Sequence, residues 1–430
     1  MPILPAAAFN ARPKLRRRRH EPAPTYVSLL QQTDEALARA RMHISAHRFA
    51  AALIALQPFA ASVPEPLAGP YSLLLGRCAM HGCGGDAFGH LQRALRAYAA
   101  AEDNVGLALV RRCLATACAA RGDLAAALEH LRVAVLASAA TPQGGREAAE
   151  ALRLQAEIHL WQRALPAAQG AIEAALQACM RADTTDTLEA RTRLTRAHVA
   201  AACGHMQHAA RDMLWAERLV GPETDTLARW QVALARAESL LGMDYPRRAA
   251  AGLEAHRGGL EALEDAAMRA HYNRLMGCAY VVDAPAVAHE HLAAANAFFA
   301  GLGQHYYWTQ CALAQVRCAH RLGLPTQSLL AQLSDMASGQ WPVLQDELGA
   351  VRQRVGCAPG RLTGPATPRS AAGRTADIVA HRRRLAEAEA EAEHVTGRVA
   401  ASEVNSADDT PAAGGSLWQR WARAISAVRP

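Results

Sequence analysis

Aromatic residues are scarce in this chain, 5% of 430 residues against 51% hydrophobic in all. A core of that composition cannot be built around large rings and has to come from Ala and Leu, which are strong helix formers. Runs of alternating β-branched and polar residues between turn signals are missing, and with them the signature of half-buried strands. No apolar stretch reaches the roughly 18 residues of a membrane span, and the first 20 residues lack the apolar segment of a secretory signal. The ten cysteines have neither CxxC spacing nor the Cys and His pairs that zinc requires. They suit small apolar positions in helices, so no metal, disulfide framework or cofactor is expected, and a cytoplasmic location is.

Catalytic signatures are missing too. There is no GxSxG, no HExxH among the 18 histidines, and no P-loop. Gly82, Gly84 and Gly85 have no strand before them to aim a phosphate. The expectation is a non-catalytic protein with no small-molecule substrate.

The net charge of +7 is concentrated at the ends. Six basic residues (Arg12, Lys14 and Arg16 to Arg19) and no acid occupy the first 20 positions, and ten Arg face eight acids over 361–430. The long middle is therefore nearly neutral, which disfavours a nucleic-acid partner, because that affinity comes from many cationic contacts releasing counterions. Lys14 is the only lysine among 46 basic residues.

What is present is a helical hairpin that returns about every 40 residues. Its turn residues are His47, Gly84, Gly122, Arg163, Gly204, Gly242, Ala284 and Gly323, spaced 37 to 42 apart. Ala and one larger apolar residue recur at fixed offsets from three of these turns: Ala115, Ala127, Leu131 and Ala134 around Gly122, then Ala156, Ala168, Ile172 and Ala175 around Arg163, then Ala197, Ala209, Met213 and Ala216 around Gly204. Such residues let two helix backbones approach where they cross. A hairpin of this kind cannot bury its apolar face alone, so stacked copies imply an all-α solenoid.

The stretches LLGRCAMHGCGGD from Leu74, ARGDLAAAL from Ala120 and MGCAY from Met276 carry the small residues, the turn glycine and, in Gly277 and Tyr280, the GxxY of a known repeat. Over residues 34–357 the chain resembles the tetratricopeptide repeat family in an extended bacterial variant, since the family's own period is about 34 residues. It departs from the pattern in lacking the tryptophan near the repeat start, and Cys, His or Ala usually stand for its central aromatic. The resemblance implies a right-handed α-solenoid of about eight antiparallel hairpins, without sheet, working as a protein-binding scaffold.

In that family the first helix of each hairpin lines the concave face. The matching positions here are Leu109, Arg112 and Thr116; Glu150, Arg153 and Glu157; Arg191, Leu194 and His198; Arg229, Val232 and Arg236; His271, Arg274 and Cys278; and Gln310, Leu313 and Arg317. A partner-binding surface is expected at Arg112, Arg153, Glu157, Arg191, His198, Arg229, Arg236, His271, Arg274 and Arg317. Guanidinium groups there would favour an acidic or phosphorylated protein segment. The family's carboxylate clamp is not matched, for its Lys and Asn combination is missing. Intrahelical pairing, as between Arg153 and Glu157 at i and i+4, is the competing use of the same residues.

The ends divide further. Residues 1–27 read as a basic arm, either a solvated tail or a contact for nucleic acid or an acidic membrane. Residues 28–357 form the solenoid, 358–373 a linker rich in Pro, Gly and Ser, 374–401 a charged spacer helix, and 402–416 a disordered linker. Over 417–430 an amphipathic helix places Trp418, Trp421 and Ile425 on one face with Arg420, Arg423 and Arg429 opposite. It suits docking on the solenoid, on a partner, or peripherally on a membrane. RLTGPATPRS from Arg361 resembles the DxLTGLxNRR opening of diguanylate cyclases, although no GGDEF signature follows. An alternative function is therefore the sensory module of a signalling protein whose output domain is absent.

Overall fold

A computed structural model describes residues 26–141, 144–182, 185–221, 223–261, 264–336 and 341–356. The chain divides into two units, Met1–Pro359 and Gly360–Pro430, and every described residue belongs to the first. The linkers, the spacer helix and Trp418, Trp421 and Ile425 lie outside the described residues, as does the basic arm except for its last two positions. Tyr26 and Val27 belong to the first helix.

Among the described residues there are eighteen α-helices and no strand. They pair as hairpins in chain order: α1 (Tyr26–Ser45) with α2 (Phe49–Leu56), α3 (Ala68–Met80) with α4 (Ala87–Ala100), α5 (Asn104–Arg121) with α6 (Leu124–Ala139), and α7 (Gly145–Trp161) with α8 (Leu165–Arg181). Next come α9 (Asp186–Ala202) with α10 (Met206–Leu219), and α11 (Thr226–Gly242) with α12 (Pro246–Glu254). The short α13 (Arg257–Glu261) precedes α14 (Ala266–Tyr280), which pairs with α15 (Pro285–Gly301). Finally α16 (His305–Arg321) meets α17 (Gln327–Met336), and α18 (Pro342–Gly356) ends the array. Each first helix also touches the first helix of the next hairpin, from α1 through α16, so these helices form one inner layer of an α-solenoid.

The recurring turn has one construction. After α5, Gly122 takes a left-handed φ of 100° and the Asp123 N–H returns to the Cys118 carbonyl at 3.0 Å. That closure satisfies a helix-end carbonyl. It is repeated by Arg48 to His43, Ala164 to His159, His205 to Ala200 and Leu324 to Ala319, so His47 and Arg163 hold a glycine-like conformation at φ 55° and 57°.

Two turn assignments need correction. Gly242 is the last residue of α11, and the left-handed residue is Asp244 (φ 62°), with Tyr245 N–H bonded to the Leu240 carbonyl. Ala284 is extended, at φ −144°, as the residue before Pro285, where the proline disfavours a helical predecessor. In the second hairpin both Gly82 and Gly84 have positive φ, and the return bond follows Gly82, from Cys83 to Cys78.

The packing core is made of the small residues at the recurring offsets. Ala115, Ala127, Ala156, Ala168, Ala175, Ala197 and Ala209 are all fully buried. Aspartates start several helices: Asp103, Asp123 and Asp225 each accept a backbone N–H three residues on, at 3.0 Å, the usual N-cap contact.

The array closes on itself. Helix α16 packs on α5, and α18 on α7. A single apolar cluster joins Leu124, Leu131, Leu154 and Ile158 to Tyr306, Leu313, Trp341 and Leu348, and Trp161 stacks on Tyr306 with ring centroids 4.0 Å apart. A second junction ties the first turns to the later hairpins. Asp265, 1% exposed, accepts hydrogen bonds from His47 Nδ1 (2.6 Å) and His81 Nδ1 (3.2 Å), and Gln231 Nε2 reaches His47 Nε2 at 3.2 Å. Both contacts to His47 are met by its neutral tautomer with the proton on Nδ1. The His81 ring in turn stacks on Phe49, with centroids 3.7 Å apart.

Candidate functional site: the inner wall

The inner layer surrounds a cavity of about 1000 Å³, at the upper end of the ~300–1,000 Å³ common for ligand sites. Its wall takes one stripe from each of α7, α9, α11, α14, α16 and α18, and His47 from the first turn. Of the expected partner-binding residues, Arg153, Glu157, Arg191, His198, His271, Arg274 and Arg317 line it. Arg112, Arg229 and Arg236 are not among the lining residues.

The departure in the sixth hairpin has a simple cause. Its turn is at Asp244, two residues after Gly242, so the inner positions move by two, and Gln231, Leu234 and Glu238 face the cavity. Arg236 pairs instead with Glu217 of α10 at 2.5 Å. Arg229 has only a 3.4 Å contact to the Thr226 hydroxyl.

The inner helices carry a ladder of opposite charges, part of it on the cavity wall, with many of its rungs joining neighbouring hairpins. Arg112 of α5 bonds Glu147 of α7 at 2.8 Å, and Arg191 of α9 reaches back to Glu150 at 3.1 Å. Arg153 pairs with Glu150 at 3.2 Å and also with Glu157, which accepts from the Thr195 hydroxyl. Farther along, Arg274 bonds Glu238 of α11 at 3.2 Å and Gln310 of α16 at 2.8 Å, and Arg317 pairs with Glu347 of α18 at 2.6 Å. Adjacent first helices stand one repeat apart, which is why Arg112 and Glu147 are 35 residues apart, Glu150 and Arg191 41, and Arg274 is 36 from both Glu238 and Gln310.

Burial and pairing together set the protonation of this ladder. Burial pushes the Glu150 carboxyl up, but Arg191, Arg153 and Arg112 together pull it well below the ordinary range. At Glu157 burial wins over Arg153 and the carboxyl is raised. Burial, reinforced by Arg274, brings His271 down to about 3, and burial also lowers His198. Both rings are neutral at pH 7. Arg153, Arg191, Arg274 and Arg317 of the wall each keep a carboxylate beside them, the condition under which a buried charge is tolerated.

Among the described residues Arg274 is the most enclosed cation, 3% exposed. Its guanidinium carbon lies 5.0 Å from the Tyr307 ring centre, and its two terminal nitrogens donate to Gln310 and Glu238. Its Nε, like that of Arg317, is buried without a hydrogen-bond partner. Gln310 carries the connection on to the Tyr306 hydroxyl at 3.2 Å, linking the wall to the ring stack that closes the array. Tyr306, Tyr307, Trp161 and Glu238 also belong to the lining. The spacing of Glu238, Arg274 and Gln310 at one repeat is the signal that would have found Glu238.

A smaller outer cavity of about 260 Å³ lies at Glu173, Arg196, Cys203, His205, His208 and Asp212. Its Arg196 is held by Asp212 at 2.6 Å and Glu173 at 3.2 Å. Among the described residues no group of three or more His, Cys, Asp or Glu is arranged to hold a metal, and no helix is long and apolar enough to cross a membrane. No family model and no curated protein matches the chain.

Proposed function

We propose that the protein is a non-catalytic interaction scaffold, a tetratricopeptide-like cytoplasmic regulator or assembly factor that holds a short segment of a partner protein in its inner cavity. The observation that carries this reading is the cavity itself, walled by one stripe from each of the first helices α7, α9, α11, α14 and α16 and by α18. Its lining sets charged and hydrogen-bonding groups such as Glu238, Arg274 and Gln310 among apolar side chains, and polar groups converging on a hollow are usual in a recognition site. A volume of about 1000 Å³ suits a few residues of extended chain better than a folded domain. Membership of the extended bacterial tetratricopeptide group accords with the two-helix repeat of about 40 residues and the left-handed turn residues that punctuate it.

Site-directed photo-crosslinking tests the proposal. A crosslinking side chain at Ala235, on the cavity wall, is compared with one at Gln177, exposed on α8. A partner trapped from Ala235 and not from Gln177, and lost when Ala279 on the same wall is changed to Trp, is the expected outcome. Equal trapping from both positions would place the partner elsewhere and end this reading.

A further inference from the structure

We infer that the segment held in the cavity is acidic, with two carboxylates that pair with Arg321 and Arg354 at the cavity's exposed edge while a neighbouring apolar side chain lies against Val281 and Val282. The inference rests on the reading of the cavity as a peptide site and adds the chemistry of what it takes.

Charge balance is the first ground. Six arginines and four carboxylates line the cavity, and the imbalance is local. Arg153, Arg191, Arg274 and Arg317 are each paired with a glutamate, so an acidic ligand at any of them would have to displace a carboxylate already in contact. Arg321 and Arg354 are exposed, and among the described residues neither is paired with a carboxylate. Asp244, the lining carboxylate that belongs to no such pair, is on the turn after α11, and α14 is the inner helix between α11 and α16. Both free arginines lie in the last turn of their helices, where the helix dipole favours a cation, so the fold holds them without a counter-ion.

The second ground is placement. Tyr306 meets Trp341 and Arg317 meets Glu347, contacts in the same order along α16 and α18, so the two helices run in the same direction. Arg321 is one turn beyond Arg317, and Arg354 is two turns beyond Glu347; at that spacing they share the cavity-facing side and the same end of the pair. Packed helices stand ~8–10 Å apart, and carboxylates on alternate residues of an extended chain are roughly 7 Å apart, a span that two long arginine side chains can close. An exposed guanidinium takes a carboxylate without losing a buried partner, and its fork can hold both oxygens. The third ground is the flank: Val281 and Val282 follow directly on α14, with Val282 57% exposed, and Val351 and Val355 line the cavity beside Arg354. Apolar surface left open next to a cationic pair is covered by an apolar residue next to the acidic ones.

The test uses the full chain and a displayed library of random heptapeptides as the probe. Selected heptamers are expected to carry Asp or Glu at two positions. Changing both to Asn or Gln in a synthetic copy is expected to weaken binding about tenfold, the scale of two exposed ion pairs, and Arg321→Glu combined with Arg354→Glu is expected to do at least as much. Salt at about 1 M, where the screening length is ~3 Å, is expected to weaken the acidic heptamer and spare its amide copy. That comparison needs only the unaltered chain, so a misfolded variant does not void the test. Selection of heptamers without acidic residues, or of acidic ones indifferent to the double reversal and to salt, overturns the inference and leaves the cavity as a peptide site of other chemistry. No heptamer above background, or binding that survives Ala235→Trp, sinks the cavity reading itself.

Discussion

At Asp265 one carboxylate accepts four hydrogen bonds, from His47, His81 and the backbone N–H groups of Ala267 and Met268. It therefore caps α14 and joins the first two turns to the seventh hairpin. Burial pushes its pKa up, but the bonds from His47 and His81 outweigh that and hold the carboxyl well below the usual range. A carboxylate depressed in the fold contributes stability that is full above its ordinary value near 4 and is lost as pH falls below it. Asp265→Ala is expected to cost about 2–4 kcal/mol in urea unfolding, with Asp265→Asn milder because Asn also caps. His271 adds a loss at higher pH. The unfolded chain takes up a proton near 6.5, whereas the folded ring resists until about 3, so the folded state binds fewer protons across that window and stability falls on acidification. The slope is at most about 1.4 kcal/mol per pH unit. Unfolding midpoints measured from pH 7 to 4 should decline less steeply in His271→Gln, and an unchanged slope would show that burial does not govern this ring.

At the scale of the helix pair, close approach decides what is tolerated. A Cβ on Gly277 would fall 2.4 Å from Leu292 Cγ and 3.2 Å from the Ala288 carbonyl, and one on Gly76 would meet Leu91 Cδ2 at 2.7 Å. The two glycines hold equivalent crossing points in different hairpins. Gly277→Ala is expected to destabilise by about 1–3 kcal/mol through overpacking, read by thermal unfolding, while Gly170→Ala, whose Cβ meets nothing within 4 Å, gains helix propensity without strain. This level of structure is legible in the sequence, because helix crossings repeat and small residues mark them: Ala115, Ala127, Ala156 and Ala168 follow from offsets alone. The sixth hairpin is the instructive exception. Glycine is the common left-handed residue, so Gly242 draws the eye, yet Asp can hold that conformation and the chain turns at Asp244. Two residues of error rotate the inner face by more than half a helical turn, and Arg229 and Arg236 stand where Gln231 and Glu238 belong.

Closure belongs to the whole molecule, and it is not legible in a repeat pattern. His47 and Asp265 are 218 positions apart, and neither Trp161 nor Tyr306 sits at a position that periodicity would single out. Pairwise chemistry of that range has no local signature, whereas the ladder partners one repeat apart can be read once the period is known. The apolar closure rests on rings: Trp341, 1% exposed, meets Tyr306 with centroids 5.7 Å apart, and Tyr306 stacks on Trp161. Trp341→Ala is expected to cost about 3–5 kcal/mol and to speed proteolysis in α16 and α17, while cleavage within α9 and α10 stays slow. Uniform acceleration would mean that the array unfolds as one unit without first opening at its seam.

Because the array meets its own beginning, its copy number is constrained. An open solenoid can gain or lose a unit and merely become longer or shorter, since each unit answers only to its neighbours. Here the removal of one hairpin would carry α16 away from α5 and His47 away from Asp265, and would leave Glu150 or Arg274 facing a helix without its counter-charge. Divergence among chains built this way should therefore accumulate by substitution and by changes in loop length, with duplication or loss of whole hairpins selected against.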